Sequence, residues 1–342
     1  MTALPVFVSD ATAREVLDWK EMIDALREAH AADLHPHAAP PRTVARGTDG
    51  VWMRALTAVP AGPLIGTKFF TLSKTRTVTY VIALFERETA RLVAFVDANT
   101  VTAMRTAATS AVAVDAMAPK RKLALGVLGS GHEARAHVRA IAAVRPVGAV
   151  AVYSPTPSNR AAFAELFAKE LGVPCRAEDA PDKALAGADL VVAATSAGRD
   201  APNTKGEWLS KGQTVVSIGS TLPEQWELDP AAIAKADLIV CDSPEEVTHG
   251  TGDFIAAKKA GIAFDDKVFS LPDLVRGRLA DRLAKAAIPM FKSAGTGLQD
   301  VVVASLAWRK AVARGMANEL PMELSLKGGE RARAAAAKAA AG

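Results

Sequence analysis

Cysteine is almost missing from this chain. Cys175 and Cys241 are its only two, far apart and without metal-ligand spacing, so neither a disulfide framework nor a zinc site is expected. No apolar run approaches the roughly 18 residues of a membrane span. The opening MTALPVFVSDATAREVLDW lacks the basic start and continuous apolar stretch of a signal peptide. Clustered Lys and Arg on one folded face, the mark of a nucleic-acid surface, are lacking too. The net charge is +4, and +3 of it sits in the tail KGGERARAAAAKAAAG, where Lys327, Arg331, Arg333 and Lys338 face Glu330 alone. The tail's alanines favour helix, yet it has no apolar stripe to dock with and reads as a frayed end. His35 and His37 have no converging partners, so no metal is assigned. These absences leave a cytoplasmic globular protein without nucleic acid or membrane among its partners.

What is present has an ordered pattern. Half of the 342 residues are apolar and 23% are charged, enough for two domains with their own cores. From residue 119 onward, short β-branched runs alternate with helical segments. LALGVLG (123–129), AVAVY (149–153), ADLVVAAT (188–195), QTVVSIG (213–219) and ADLIVCD (236–242) read as strands. Near-continuous apolar strands between helices imply a parallel sheet covered on both faces, a doubly wound α/β domain. The first 118 residues differ. One helix is expected over 11–33, after the capping pair Ser9-Asp10. The Pro-rich HPHAAPPR is a loop, and 51–60, 64–72, 77–86 and 91–99 read as antiparallel or mixed strands. Helices follow over 100–118 and 296–316. The expected arrangement is an α+β domain built from 1–118 and 297–342, with a nucleotide domain, 119–296, inserted between.

Gly129-Ser130-Gly131-His132-Glu133-Ala134 follows the first strand of that inserted domain and opens a helix. The first glycine allows a tight turn, the second lets backbone approach a pyrophosphate, and alanine lets the helix pack on the sheet. Free N–H groups at the helix start then favour phosphate. The plain alternative is a strand-to-helix turn with no ligand. At the end of the next strand an acid would hold the ribose 2′-OH of NAD. Ser154 stands there instead, followed by Thr156, Asn159 and Arg160. Hydroxyls and a guanidinium suit a 2′-phosphate, which favours NADP(H) over NAD(H). A solvent-exposed loop with a helix cap is the other reading of that segment.

Six ordered motifs, PPRTV, IGTKFF, TAMRTAATSA, GSGHEA, IGSTLPEQWEL and MFKSAGTGLQD, together resemble the ornithine cyclodeaminase/μ-crystallin family over nearly the whole chain. The resemblance implies an NAD(P)-binding Rossmann domain, a substrate domain that also forms a homodimer, and chemistry on α-amino acids or their cyclic imines. Arg42, Lys68 and Arg105 match the family's substrate-site positions, and cations there suit a substrate carboxylate. Lys68 interrupts an apolar strand, where a buried lysine needs a reason. Arg105, read as lying near a helix start, would gain from the dipole. Arg42 alone, in a Pro-rich loop, could equally be a surface cation. Thr195, Ser196, Ser217, Gly219 and Ser220 match the cofactor edge of the sheet. Lys292, Ser293 and Gly295 match a backbone turn near the nicotinamide ribose. For His132 the plain alternative is a solvent-facing member of the loop. Gln299-Asp300 could belong to the site or simply start a helix.

One departure narrows the choice. Cyclodeaminases of this family carry an aspartate where this chain has Thr221, and a hydroxyl cannot act as a carboxylate base near neutral pH. The resemblance therefore leans to the ketimine-reductase branch, with NADPH-dependent reduction of a small cyclic ketimine carboxylate. Cyclodeaminase, alanine-type dehydrogenase and opine-like chemistry remain alternatives, as does a non-catalytic NADPH-binding protein.

Overall fold

Two sheets organise the chain, and different side-chain patterns build them. The computed structural model describes residues 4–196, 202–322 and 324–326; the tail 327–342 lies outside the described residues. The first sheet contains β1 (Val6–Val8), β2 (Thr43–Arg46), β3 (Trp52–Ala58), β4 (Leu64–Leu72), β5 (Val78–Glu86) and β6 (Leu92–Asp97). β2 to β6 run antiparallel in order, β1 adds parallel to β6, and the two-residue strand Asn318–Glu319 returns to pair with β1. Burial alternates along β4: Leu64, Gly66 and Lys68 are covered, while Ile65, Thr67 and Phe69 are half-exposed. That is the period of a sheet with one face in the core. The helix Gly297–Ala313 packs across the covered face. Both ends of the chain thus contribute to one layer.

The second sheet lies between those ends in sequence. It contains β7 (Leu123–Leu128), β8 (Val147–Tyr153), β9 (Cys175–Ala177), β10 (Leu190–Ala193), β11 (Thr214–Ser217), β12 (Leu238–Cys241), β13 (Val268–Ser270) and β14 (Pro289–Lys292). All its pairings are parallel, in the order β13-β12-β14-β11-β10-β7-β8-β9. Strands β10, β11, β12 and β14 are buried at every position, as a sheet covered on both faces requires. After β7 the chain builds β8 and β9 on one side, then returns to build β10 on the other. The reversal between β7 and β10 is a switch point, where open α/β sheets leave a crevice at the strands' carboxyl ends. This is a Rossmann-type sheet inserted into a mixed α+β layer.

The long helix Asn99–Met117 joins the two sheets and packs on the helix His132–Val144. Its small residues Ala107, Ala108 and Ala111 are fully buried, which lets the helices approach closely. Ser110 Oγ and His137 Nε2 meet at 3.0 Å in that interface, and His137 Nδ1 reaches the Glu133 carbonyl at 2.7 Å. Burial holds His137 down at about 4, so the ring is neutral.

The structure amends three expectations. The first helix is two, Asp10–Val16 and Trp19–Ala31, because Leu17 is extended and Asp18 caps the second by accepting from Glu21 N. Ser9 caps the first, as its side chain suggests. Thr43–Arg46, beyond the Pro-rich loop, forms an edge strand. The run around Pro289 is also a strand, and it slots between β11 and β12. Among the described residues, no helix is long and apolar enough to cross a membrane.

Candidate functional site

The glycine loop fills the crevice at the switch point. Gly129 has φ +106°, and a Cβ there would lie 2.3 Å from the Ala194 carbonyl oxygen, so only glycine fits. A Cβ on Gly131 would meet nothing within 4 Å. Open space thus lies before the helix His132–Val144, whose start has no side-chain cap. Its unsatisfied N–H groups and dipole suit a pyrophosphate, and the residues present fit a dinucleotide. Ala134 is fully buried, as the close helix–sheet packing needs. Ser130 Oγ donates to Ser154 Oγ at 2.8 Å and ties the loop to the end of β8. Arg160 Nη1 donates to the carbonyls of Ser154 at 2.9 Å and Pro155 at 3.3 Å. Thr156, Asn159 and His132 are exposed around this rim.

Glu227 fastens the neighbouring strand ends. Its carboxylate accepts from Thr195 N and Oγ1, Ser217 Oγ, Ile218 N and Gly219 N, at 2.7 to 3.1 Å. Burial pushes its pKa up, while Lys292 and these donors oppose the rise. Thr195, Gly219 and Ser293 face the cavity that opens above. Lys292, Ser217 and Ser220 do not. Lys292 is fully buried, paired with Asp253 at 2.7 Å and donating to Ser217 Oγ at 3.0 Å. Ser220 is equally enclosed and donates to the Gln225 carbonyl. These three brace the floor rather than form the wall. Ser196 is exposed at the start of a segment, 197–201, outside the described residues.

The cavity holds about 220 Å³ and takes its walls from both sheets. From the first sheet come Arg54, Leu56, Lys68, Phe70 and Tyr80; from the second and its loops come Glu133, Thr195, Gly219, Thr221, Ser293 and Gly295. Lys68 Nζ donates to Asp300 Oδ1 at 2.8 Å, and Arg105 Nε pairs with the same oxygen at 2.8 Å. Arg105 Nη1 also donates to Gln299 Oε1 at 2.8 Å. Asp300 and Gln299 open the helix Gly297–Ala313, whose Thr296 and Gln299 form a capping box. Arg105 is the seventh residue of its own helix, two turns in, so the dipole gain expected of it does not apply. Burial, helped by Arg105, pushes the Lys68 ammonium down to about 7 despite Asp300. Burial pushes the Glu133 carboxyl up to about 7 against the pull of Arg105 and Lys68. Its Oε2 is buried without a partner.

Asp242 shapes the turn below Arg105. It accepts from Ser293 Oγ, Ala294 N, Gly295 N and Gln299 Nε2, at 2.6 to 3.0 Å. Burial works to raise its pKa, but these donors together hold it low. Gly295 adopts φ +84°, and a Cβ there would lie 2.7 Å from Arg105 Nη1.

Arg42 reaches the cavity already paired. Its Nε and Nη2 donate to Glu246 at 3.0 and 2.8 Å, and Nη2 also donates to the carbonyls of Ala294 and Gly295. Arg42, expected as a substrate-binding residue, lines the cavity while engaged by Glu246, and its Nη2 ties down the 294–295 turn. Arg54 is the cation that sequence reading missed. It shares the covered face of β3 with Leu56, a signal of the same kind as Lys68 on β4. Tyr80 stacks on Phe70, with ring centroids 5.2 Å apart.

A glycine loop at the switch point of a parallel sheet, facing buried cations from a second sheet, defines a two-layer α/β scaffold built around one inter-sheet cavity. The chain belongs to the ornithine cyclodeaminase/mu-crystallin family, whose model matches residues 7–315. It is 29% identical over 279 residues to the Delta(1)-pyrroline-2-carboxylate reductase of Bacillus cereus, covering 81% of this chain and 82% of that one. The Thermococcus litoralis Delta(1)-pyrroline-2-carboxylate reductase, solved with NADH and L-proline, superposes with TM-score 0.83 at 26% identity, covering 92% of this chain and all of that one. The iminosuccinate reductase of Paracoccus denitrificans, solved with NAD+, gives TM-score 0.83 at 27% identity, covering 93% and 100%.

Proposed function

We propose that this protein is an NAD(P)H-dependent imine reductase that converts a small ketimine carboxylate of the Δ1-pyrroline-2-carboxylate or Δ1-piperideine-2-carboxylate type into the corresponding amino acid. One observation carries the reading: Lys68 and Arg105, both paired with the buried Asp300, line the same cavity as Glu133 of the glycine loop. Reductases of this substrate class among its relatives support it.

A reduced dinucleotide held through its pyrophosphate by Gly129 to Ala134 would supply the hydride. The chain's own residues supply the rest. Lys68 and Arg105 share a single carboxylate, so with Lys68 protonated the cluster keeps one positive charge for a substrate carboxylate. Holding that carboxylate fixes the imine carbon towards the glycine-loop side, and this orientation is the main service the protein provides. The imine nitrogen needs a proton, and Lys68, near 7, holds one that it can release at neutral pH. Glu133 is the second group near 7 on that wall. Thr221 lines the cavity where a deaminating enzyme of this family would need an acid, which disfavours a cyclodeaminase.

NADPH is the preferred cofactor on this reading. Ser154 and Arg160 stand at the end of β8, and a hydroxyl with a guanidinium suits a 2′-phosphate. The half-exposed Ile65, Phe69, Val81 and Phe85 on the outer face of the first sheet suit a homodimer contact. The direct test is NADPH oxidation against a panel of cyclic imines, 2-oxo acids with amines, and ornithine. Turnover of imines with NADPH supports the proposal; ammonia release from ornithine without net NADPH consumption contradicts it.

A further inference from the structure

Glu133 is the one acid among the described residues that line the cavity. Its Oε2 is buried without a hydrogen-bond partner, and burial pushes the carboxyl up to about 7. The neighbouring acids are already engaged. Asp300 holds both Lys68 and Arg105, and Glu246 holds Arg42. Arg54, the remaining cation on the wall, is attracted by Glu224 and Glu246. A buried carboxyl without a partner is costly, and a ligand cation would satisfy it.

The place of Glu133 in the chain says what that cation is. It is the second residue of the helix His132–Val144, so its backbone belongs to the glycine loop while its side chain lines the cavity. The neutral His137 ring, one turn on, meets the Glu133 carbonyl at 2.7 Å and fixes that first turn. Arg105 from the helix Asn99–Met117 and Lys68 from β4 attract the carboxylate, with Asp300 paired to both. Tyr80 from β5 feels its charge. The hydroxyls of Thr102 and Thr106 on the same wall carry none. Lys68 and Arg105 exceed Asp300 by one positive charge, which suits a carboxylate but repels a cation beside it. A protonated imino carboxylate carries both, because its nitrogen is bonded to the carbon that bears the carboxylate. An acid within the same cavity offsets that repulsion, and Glu133 is the acid present.

We propose that Glu133 accepts a hydrogen bond from the protonated imine nitrogen of the substrate, so that the site selects nitrogen over oxygen at the double bond it reduces. This rests on the reading of Lys68 and Arg105 as the seat of the substrate carboxylate. The contact joins a carboxylate to a cationic N–H and is charge-assisted from both sides. It strengthens as positive charge develops on the nitrogen. A 2-oxo acid has no N–H to donate and leaves the carboxylate unsatisfied, which is how a buried polar group rejects an analogue.

Ligands that cannot be reduced test this without turnover. The NADPH-loaded protein is titrated calorimetrically with L-proline, 2-tetrahydrofuroate and cyclopentanecarboxylate. The three share carboxylate and ring size but place a cationic nitrogen, an oxygen or a methylene beside the α-carbon. At pH 8 the wild type binds L-proline about tenfold or more tighter than the other two, and Glu133→Gln, which keeps the shape without the charge, brings the three together. Between pH 8 and pH 6 the wild-type preference shrinks about tenfold, because the free carboxyl takes up a proton that L-proline must displace; Glu133→Gln shows no such change. Lys68 titrates in the same range, yet it acts on the carboxylate common to all three, so the ratio of affinities isolates Glu133. Equal affinities in the wild type, or a preference that Glu133→Gln leaves intact, overturn the contact and spare the carboxylate seat. Failure of all three to bind overturns the seat and the contact with it. Glu133→Gln is isosteric and should fold. Should it not, the wild-type pH dependence decides alone: a preference constant between pH 6 and pH 8 counts against Glu133.

Discussion

Asp300 and Lys68, 232 residues apart in sequence, meet at 2.8 Å in the interior, and the carboxylate's other oxygen has no partner. This pair draws the helix Gly297–Ala313 onto β4 and fixes the charge facing the cavity. Asp300→Asn keeps the shape but removes the group that holds a proton on Lys68. The ammonium then loses its proton more readily, and kcat/KM for imine falls about a hundredfold, as expected when a transition-state charge contact goes. Breaking a buried pair also costs about 3 kcal/mol of stability. Steady-state kinetics and a thermal melt check both, with NADPH affinity unchanged by fluorescence titration.

Glu133 has the opposite sign of linkage. Its carboxyl is raised from 4.5 to about 7, so between those values the folded state binds more protons than the unfolded one. Folding stability therefore declines as pH rises through that window. Glu133→Gln removes the effect. The variant melts higher than wild type above pH 7, and the difference vanishes below pH 4.5. In kinetics, Lys68 and Glu133 titrate in the same range as coupled groups, facing Arg105, Asp300 and Tyr80. The alkaline loss of reductase activity is then broad in the wild type and narrows to a single deprotonation in Glu133→Gln.

Arg160 is held at the end of β8 by the Ser154 and Pro155 carbonyls. Arg160→Ala should raise KM for NADPH about tenfold, the loss of one charge-assisted contact, and leave KM for NADH nearly unchanged. An equal effect on both cofactors means that Arg160 does not meet a 2′-phosphate.

At Gly295 the backbone turns left-handed directly beneath Arg105. Gly295→Ala places a methyl against Nη1 and strains φ at a cost of about 1 to 2 kcal/mol. The guanidinium must move off Gln299 and Asp300, so KM for the imine rises while NADPH affinity stays as it was. An unaltered KM shows that Arg105 does not contact substrate.

The readable parts of this protein are local. Strands β7, β8, β10, β11 and β12 carry their own apolar runs, and Gly129 to Ala134 carry a spacing tied to one turn. β14 was not readable, because its place between β11 and β12 is a non-local pairing and Pro289 opens it. The acid that pairs with Arg42 is not legible, because Glu246 lies 204 residues away in sequence. For Lys292 and Ser217, sequence gives a position along a strand but not its depth beneath the cavity. Asp300 was ambiguous for a physical reason: a helix-start acid is commonplace, and only the fold shows that Lys68 and Arg105 converge on it. Arg54 was legible in principle, as a cation on the covered face of β3.

The central claim is that a hydride reaches the α-carbon of an imino carboxylate held by Lys68 and Arg105. Turnover with NADPH deuterated at the transferable C4 position, followed by mass spectrometry and proton NMR of the amino-acid product, tests it directly. One deuterium at the α-carbon, lost together with turnover in Arg105→Ala, is the result expected. Product formed without α-deuterium contradicts the claim.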